Sequence, residues 1–105
     1  MGLFGFGSKS SVSAQDAAEA LKGRAVLVDV REQHEWKAGH VRGAIHIPLG
    51  RLQANLSRIP KGQDVYVICA SGMRSKSALK ILKSAGIEAK DIKGGMSAWS
   101  RTVGI

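Results

Sequence analysis

The sequence is poor in several residue types that mark particular classes of protein. Its 105 residues include one cysteine, two prolines, two tryptophans, two phenylalanines and one tyrosine. A single cysteine excludes an internal disulfide and a zinc site made of several cysteines. The apolar runs stay well below the roughly 18 residues that a membrane-spanning helix needs. These shortages favour a small domain with one hydrophobic core, and we predict no membrane association.

Acidic residues are also scarce: 8 Asp and Glu stand against 16 Lys and Arg, which gives a net charge of +8. The positive charges are scattered rather than gathered in one block. Phe4 and Phe6 both lie at the N-terminus, so few aromatic side chains remain for stacking on bases. The sequence therefore disfavours nucleic-acid binding. It predicts a positive surface that attracts small anions into a cleft.

The N-terminal segment differs from the rest of the chain. Residues 1–10 carry glycine and serine without hydrophobic periodicity, which predicts a flexible lead before a domain at residues 11–105. The segment lacks the basic region and cleavage pattern of a signal peptide, and Phe6 stands where a myristoylation signal has Ser or Thr. Together with the single cysteine, this predicts a cytoplasmic protein.

Strand-like and helix-like segments alternate about five times along the chain, which predicts an α/β domain with a parallel sheet and helices on both faces. The predicted strands are Ser11–Val12, Ala25–Val30, a short one within His40–Pro48, Asp64–Ile68 and a partly exposed Ile87–Ile92. The predicted helices are Ala14–Lys22, Glu32–Ala38, Leu49–Leu56, one from Ser75 to a C-cap at Gly86, and one after Gly94-Gly95 that packs Met96 and Trp99 into the core.

One strand, loop and helix form the centre of this pattern. A β-branched apolar run leads into Cys69, the next residues to Arg74 form a loop, and helical periodicity resumes at Ser75. Open α/β sheets bind ligands at this carboxyl edge. The first turn of the helix would direct free N–H groups and its positive dipole end at Cys69, which favours a nucleophilic thiolate. Gly72 allows the loop to turn tightly.

Other polar residues have structural interpretations as well. Asp29 interrupts an apolar strand, and a buried carboxylate needs a partner, for which Arg31 is the nearest candidate. The alternative for Arg31 is that it faces the anion-binding cleft. His34, His40 and His46 are spaced in a way that fits no common zinc motif, so we predict no metal site.

Cys69-x-x-Gly72-x-Arg74-Ser75 resembles the active-site loop of the rhodanese family of sulfurtransferases, in the form of its small single-domain members. Two further stretches, from Asp29 to Pro48 and from Gly94 to Trp99, match that family's pattern in order and spacing, so the resemblance covers about residues 11–101. It implies a five-stranded parallel sheet of order 3-2-4-5-1. It also implies that His40 hydrogen-bonds the backbone of its turn.

The resemblance further implies a reaction. Cys69 would act with Arg74 as a catalytic residue, taking sulfur from a small anionic donor to form a persulfide. The substrate-binding residues would be Ala70, Ser71, Gly72, Met73, Arg74, Ser75 and Arg31. Because the chain has no second cysteine, the acceptor would come from another molecule: cyanide, glutathione, thioredoxin or a protein thiol. No cofactor is implied.

Several alternatives stay open at this point. Family members that act on thiosulfate often carry cations at the two positions after the cysteine, where this chain has Ala70 and Ser71. Thiosulfate, a protein persulfide and glutathione persulfide thus all remain candidates for the sulfur donor. A sulfur-carrier or redox-sensing module is the main alternative function. Cysteine-dependent phosphatases place one more residue between Cys and Arg, so phosphatase or arsenate reductase activity is disfavoured. The sequence does not set the oligomeric state.

Overall fold

The computed structural model describes residues 10–104, so the flexible lead predicted at residues 1–10, with Phe4 and Phe6, lies outside this range except for Ser10. The strands are β1 (Ser11–Val12), β2 (Val26–Asp29), β3 (Ile45–His46), β4 (Val65–Ile68) and β5 (Ala89–Ile92). The helices are α1 (Ala14–Leu21), α2 (Gln33–Ala38), α3 (Met73–Ser84) and α4 (Gly95–Thr102), with short 3-10 helices at Leu49–Arg51 and Gln53–Arg58. None of the helices within residues 10–104 has the length and apolar character to cross a membrane.

The five strands form one parallel sheet in the order β1-β5-β4-β2-β3. This confirms the predicted α/β class and the predicted strand order, read from the other edge. Asp29, at the end of β2, lies opposite Ile68, at the end of β4. The segments that follow these two strands therefore leave the same edge of the sheet side by side, which is where the predicted site lies.

Alternate residues of the central strands pack against different layers. Leu27 and Ile68 face α1 and α4, where Met96 and Trp99 are buried as predicted. Val65 and Val67 face α3 and the 3-10 helices on the other side. Burial of each such aliphatic side chain contributes about 1.5–3 kcal/mol. Cys69 continues the alternation of Val65 and Val67, so its side chain points to the α3 side of the sheet.

The helix predicted at Leu49–Leu56 is wrong in type, because this stretch forms two 3-10 helices. The side-chain amide of Asn55 donates to the Arg51 carbonyl at 2.8 Å, which takes the acceptor that an α-helix would give to the Asn55 N–H. That N–H donates instead to Leu52, three residues back. Leu52 is still fully buried, so the apolar face is kept while the backbone is tighter.

The predicted partial exposure of the last strand holds only for the first half of the predicted range, where residues 87–89 are half-buried or exposed. β5 lies between β1 and β4 rather than at an edge. Lys90, Asp91 and Ile92 are all buried as a result. Alternation of polar and apolar residues predicts exposure only when the polar side chains have no partners inside the protein, and Asp91 has several.

Candidate active site

The segment that joins β4 to α3 is shorter than predicted. α3 begins at Met73, two residues before the predicted start, because Gly72 takes the N-cap position with a left-handed φ of 109°. Arg74 thus lies in the first turn of the helix. We call residues 69–72 the Cys69 loop.

The Cys69 sulfur lies under the first turn of α3. The Gly72 N–H donates to Sγ at 3.0 Å, and the thiol donates to the Ser75 hydroxyl oxygen at 3.6 Å. Cys69 is 1% exposed, so little water competes for these contacts. The sulfur therefore lies at the positive end of a twelve-residue helix, and its backbone donor is the N–H of the N-cap residue Gly72 rather than the predicted N–H groups of the first turn.

The Ser75 hydroxyl belongs to a hydrogen-bond network that the sequence analysis did not predict. It lies 3.1 Å from both the Gly72 carbonyl and Asp91 Oδ2. Because a hydroxyl has one proton, directing it to these oxygens leaves a lone pair for the Cys69 thiol. Asp91 is fully buried and also accepts from Ser11 and, at 3.4 Å, from Lys76. The sequence did contain a signal for this network, because Asp91 is a carboxylate within a predicted strand and so needs a partner, as Asp29 does.

Helix α4 holds the outer side of the Cys69 loop through backbone contacts. The Met96 N–H donates to the Cys69 carbonyl at 2.7 Å, and the Ser97 N–H donates to the Ala70 carbonyl at 3.1 Å. A Cβ at Gly95 would lie 2.4 Å from the Cys69 carbonyl oxygen, closer than atoms approach without a shift. Gly95, with a φ of 54°, thus permits the helix to approach the loop.

Arg74 points to α2 rather than to the loop carbonyls. Its guanidinium makes two bonds to the Glu35 carboxylate, at 2.6 and 2.8 Å. The hydrogen bonds from Arg74 lower the pKa of Glu35 from 4.5 to about 2, although partial burial acts in the opposite direction. The same bonds raise the pKa of Arg74. The sequence analysis did not pair Glu35 with Arg74, because 39 residues separate the two partners.

Arg31 makes the structural pair predicted with Asp29. Its Nε and Nη2 donate to the Asp29 carboxylate at 2.8–3.1 Å, and Nη2 also donates to the Gly39 carbonyl at 2.8 Å. The two side chains are 7% and 0% exposed. The substrate-binding role of Arg31 stays a prediction, and these contacts give its guanidinium a structural one.

The histidines of this edge hold α2 in position. His40 Nδ1 lies 2.8 Å from the Trp36 carbonyl, which confirms the predicted bond to the turn backbone, and His46 Nε2 lies 2.8 Å from the Arg31 carbonyl. Both imidazoles stack on Trp36, with ring centroids at 3.6 and 4.6 Å. The helix that carries Glu35 is thus fixed on the side next to the sheet.

The remaining residues assigned to the site form the rim of the Cys69 loop. Ala70 is half-buried, whereas Ser71 is exposed. The Met73 side chain is 78% exposed, which is unusual for a large apolar residue. The structure thus brings Cys69, the loop backbone and Ser75 together, whereas Arg74 and Arg31 are held in ion pairs.

The fold and the site together define a class of protein. Its members are parallel α/β domains that hold a buried cysteine between a central strand and the N-terminus of a helix. Residues 13–102 match the Rhodanese-like domain family, and the chain belongs to this family.

Its relatives agree with this assignment. The chain is 37% identical to the Bacillus subtilis putative sulfurtransferase YtwF over 73 residues, which covers 70% of this chain and 71% of that protein. It is 33% identical over 75 residues to the putative sulfur carrier protein YrkF of the same organism, covering 70% of this chain but only 40% of the relative. The structure of a rhodanese-related protein from Thermoplasma volcanium superposes with a TM-score of 0.81 at 31% identity, covering 89% of this chain and 92% of that one.

Proposed function

We propose that the protein is a sulfurtransferase that carries sulfane sulfur on Cys69. The observation that carries the proposal is the buried Cys69 sulfur with the Gly72 N–H at 3.0 Å, under the first turn of α3. A site of this kind stabilises one anionic sulfur, either the thiolate or the outer sulfur of a persulfide. The relatives named putative sulfurtransferase and putative sulfur carrier protein support the same chemistry.

The reaction has two displacements. The Cys69 thiolate attacks the outer sulfur of a donor, thiosulfate or a persulfide, so that a new S–S bond forms while the donor's S–S bond breaks. Sulfite or a thiolate leaves with the electron pair. A thiol acceptor such as glutathione, thioredoxin or a protein thiol, or cyanide, then attacks the outer sulfur and returns Cys69 as a thiolate. No net oxidation occurs, so we propose no cofactor, and we place the reaction in the reducing cytoplasm.

The roles of the surrounding residues follow from their contacts. Gly72 donates to the sulfur, and Ser75 relays between the thiol and Asp91. Arg74, in the first turn of α3, has its charge balanced by Glu35. The short loop suits one sulfur atom rather than a phosphate, which keeps phosphatase and arsenate reductase activity disfavoured.

Intact mass spectrometry tests this function. After incubation with a sulfane-sulfur donor, we expect a gain of about 32 Da, the mass of one sulfur atom, as expected for a nucleophilic cysteine. Cyanide should remove it, and Cys69→Ser should never acquire it. Absence of the gain with thiosulfate and with persulfide donors would contradict the proposal. Loading without repeated turnover would favour the sulfur-carrier alternative, which the relative named as a carrier also supports.

A further inference from the structure

Three cations on the segments that follow β2 and β4 lie against carboxylates. Arg74 Nη1 and Nη2 donate to the Glu35 carboxylate, and Arg31 is bound by Asp29. Lys76, in the first turn of α3, lies 3.4 Å from the Asp91 carboxylate. Both arginines that the sequence analysis assigned to substrate binding, Arg31 and Arg74, are thus paired with a carboxylate within the protein.

The rim of the site carries little charge. Ala70 and Ser71 follow the cysteine, and neither side chain is charged at neutral pH. Met73 extends into solvent beside them with 78% of its surface exposed. A donor that approaches Cys69 therefore meets a methyl, a hydroxyl and a thioether. Such a surface suits a neutral or apolar carrier group better than a sulfonate-like one.

Donors differ in the charge that they bring to this rim. Thiosulfate is a dianion, and its attack by a thiolate brings three negative charges together, which requires a cation with spare charge nearby. The persulfide group of an alkyl persulfide carries one negative charge at most, on the sulfur that moves into the loop, and any other charges of the carrier, such as the carboxylates of glutathione, lie several bonds away from the reacting sulfur. Its carrier group needs no cation.

We propose that this site takes sulfur from an alkyl persulfide in preference to thiosulfate, and that Glu35 sets the preference by neutralising Arg74. The inference rests on the proposed sulfurtransferase function. Glu35 does not touch the sulfur and acts through Arg74, so it is a positioning residue that determines specificity. Its Oε1 also accepts the Glu32 N–H at 2.8 Å, which holds the carboxylate in place before any donor arrives.

The test measures initial rates of Cys69 persulfide formation with thiosulfate, glutathione persulfide and a persulfidated protein. The proteins are the wild type, Glu35→Gln and the control Glu19→Gln, which removes the same charge from a 72%-exposed pair with Lys22 on α1. We expect both persulfides to load the wild type at least about tenfold faster than thiosulfate does. Glu35→Gln frees the charge of Arg74, so the thiosulfate-to-persulfide rate ratio should rise about tenfold. In Glu19→Gln, the thiosulfate-to-persulfide rate ratio should stay within about twofold of the wild-type ratio.

The outcomes separate the two proposals. If no donor loads any variant, the sulfurtransferase function itself fails. If thiosulfate loads the wild type as fast as the persulfides do, or if Glu35→Gln leaves the ratio unchanged, the function stands and the inference about Glu35 fails. A preference for glutathione persulfide over the protein persulfide, or the reverse, identifies the carrier.

A second measurement needs no variant, in case Glu35→Gln does not fold. Sulfate in large excess should leave persulfide loading of the wild type unchanged, because Arg31, Arg74 and Lys76 are each already paired with a carboxylate. Competitive inhibition by sulfate, beyond that of chloride at equal ionic strength, would overturn the inference.

Discussion

The Cys69 loop is held from two sides by different kinds of contact. On the α4 side, the Met96 and Ser97 N–H groups bind loop carbonyls, and Gly95 lets the helix approach. On the α2 side, an ion pair joins Glu35 to Arg74. The first set of contacts is neutral and fixed by backbone geometry, whereas the second is charged and partly exposed. The comparison indicates that α4 sets the shape of the loop and α2 sets its charge.

The two sides should respond differently to solution conditions. Backbone hydrogen bonds between packed segments do not depend on salt or on pH near neutrality. The Arg74 and Glu35 side chains are 32% and 23% exposed, so salt screens their attraction and the pair adds only about 1 kcal/mol or less. Substitutions on the α4 side should therefore have the larger effects.

The largest effect is expected from Gly95→Ala. The added Cβ would lie 2.4 Å from the Cys69 carbonyl oxygen and would occupy a left-handed backbone position, so α4 must move away from the loop. We expect a loss of about 2–5 kcal/mol in the free energy of unfolding, measured by urea denaturation. Displacement of the loop should also slow persulfide formation about 100-fold.

Gly50→Ala is the matched control, because a Cβ there meets nothing within 4 Å and the backbone is not left-handed. Its stability should stay within about 0.5 kcal/mol of the wild type. Equal effects of the two substitutions would show that α4 does not shape the loop.

An intermediate effect is expected from Gly72→Ala, which acts on the loop itself. A Cβ at Gly72 would have room, since its nearest neighbour is the Gly94 nitrogen at 3.7 Å. The strain comes from the φ of 109° alone, and we expect a loss of about 1–3 kcal/mol by the same urea measurement. A loss equal to that of Gly95→Ala would mean that steric exclusion by α4 adds nothing to the strain.

The smallest effect is expected from Glu35→Gln, and it should depend on pH. The folded-state pKa of Glu35 is about 2, below its ordinary value of 4.5, so its contribution to stability is present above pH 4.5 and is lost as the pH falls toward 2. The wild type should thus exceed the variant by about 1 kcal/mol at pH 7, and this difference should shrink below pH 4.5. Urea titrations from pH 3 to pH 7 provide the measurement. A difference in stability that does not vary with pH would show that the ion pair between Glu35 and Arg74 does not stabilise the fold.

Local features of the sequence were enough to predict much of this structure. The apolar run before Cys69 and the helical periodicity after it predicted the strand, loop and helix, and the parallel sheet followed from their alternation. Asp29 and Arg31 are two residues apart, so their pairing could be predicted from the chain itself. The remaining topology came from the family resemblance, which the strand order confirms.

The features that were missed depend on contacts between distant segments. Glu35 meets Arg74 across 39 residues, and Asp91 meets Ser75 across 16, so no spacing in the sequence connects them. The contact of Gly95 with the Cys69 loop exists only because β5 lies beside β4. The hydrophobic spacing of Leu49–Leu56 does not distinguish an α-helix from a 3-10 helix, because both place residues three apart on one face.

The most direct test of the central claim is a single turnover of sulfur on Cys69. Persulfide-loaded protein is freed of donor, mixed with glutathione and followed by intact mass, with Cys69→Ser carried through the same steps. We expect the gain of about 32 Da to be one sulfur per chain, to disappear as glutathione persulfide forms, and to be absent from the variant. A gain that persists in Cys69→Ser, or that no thiol can remove, would contradict the account.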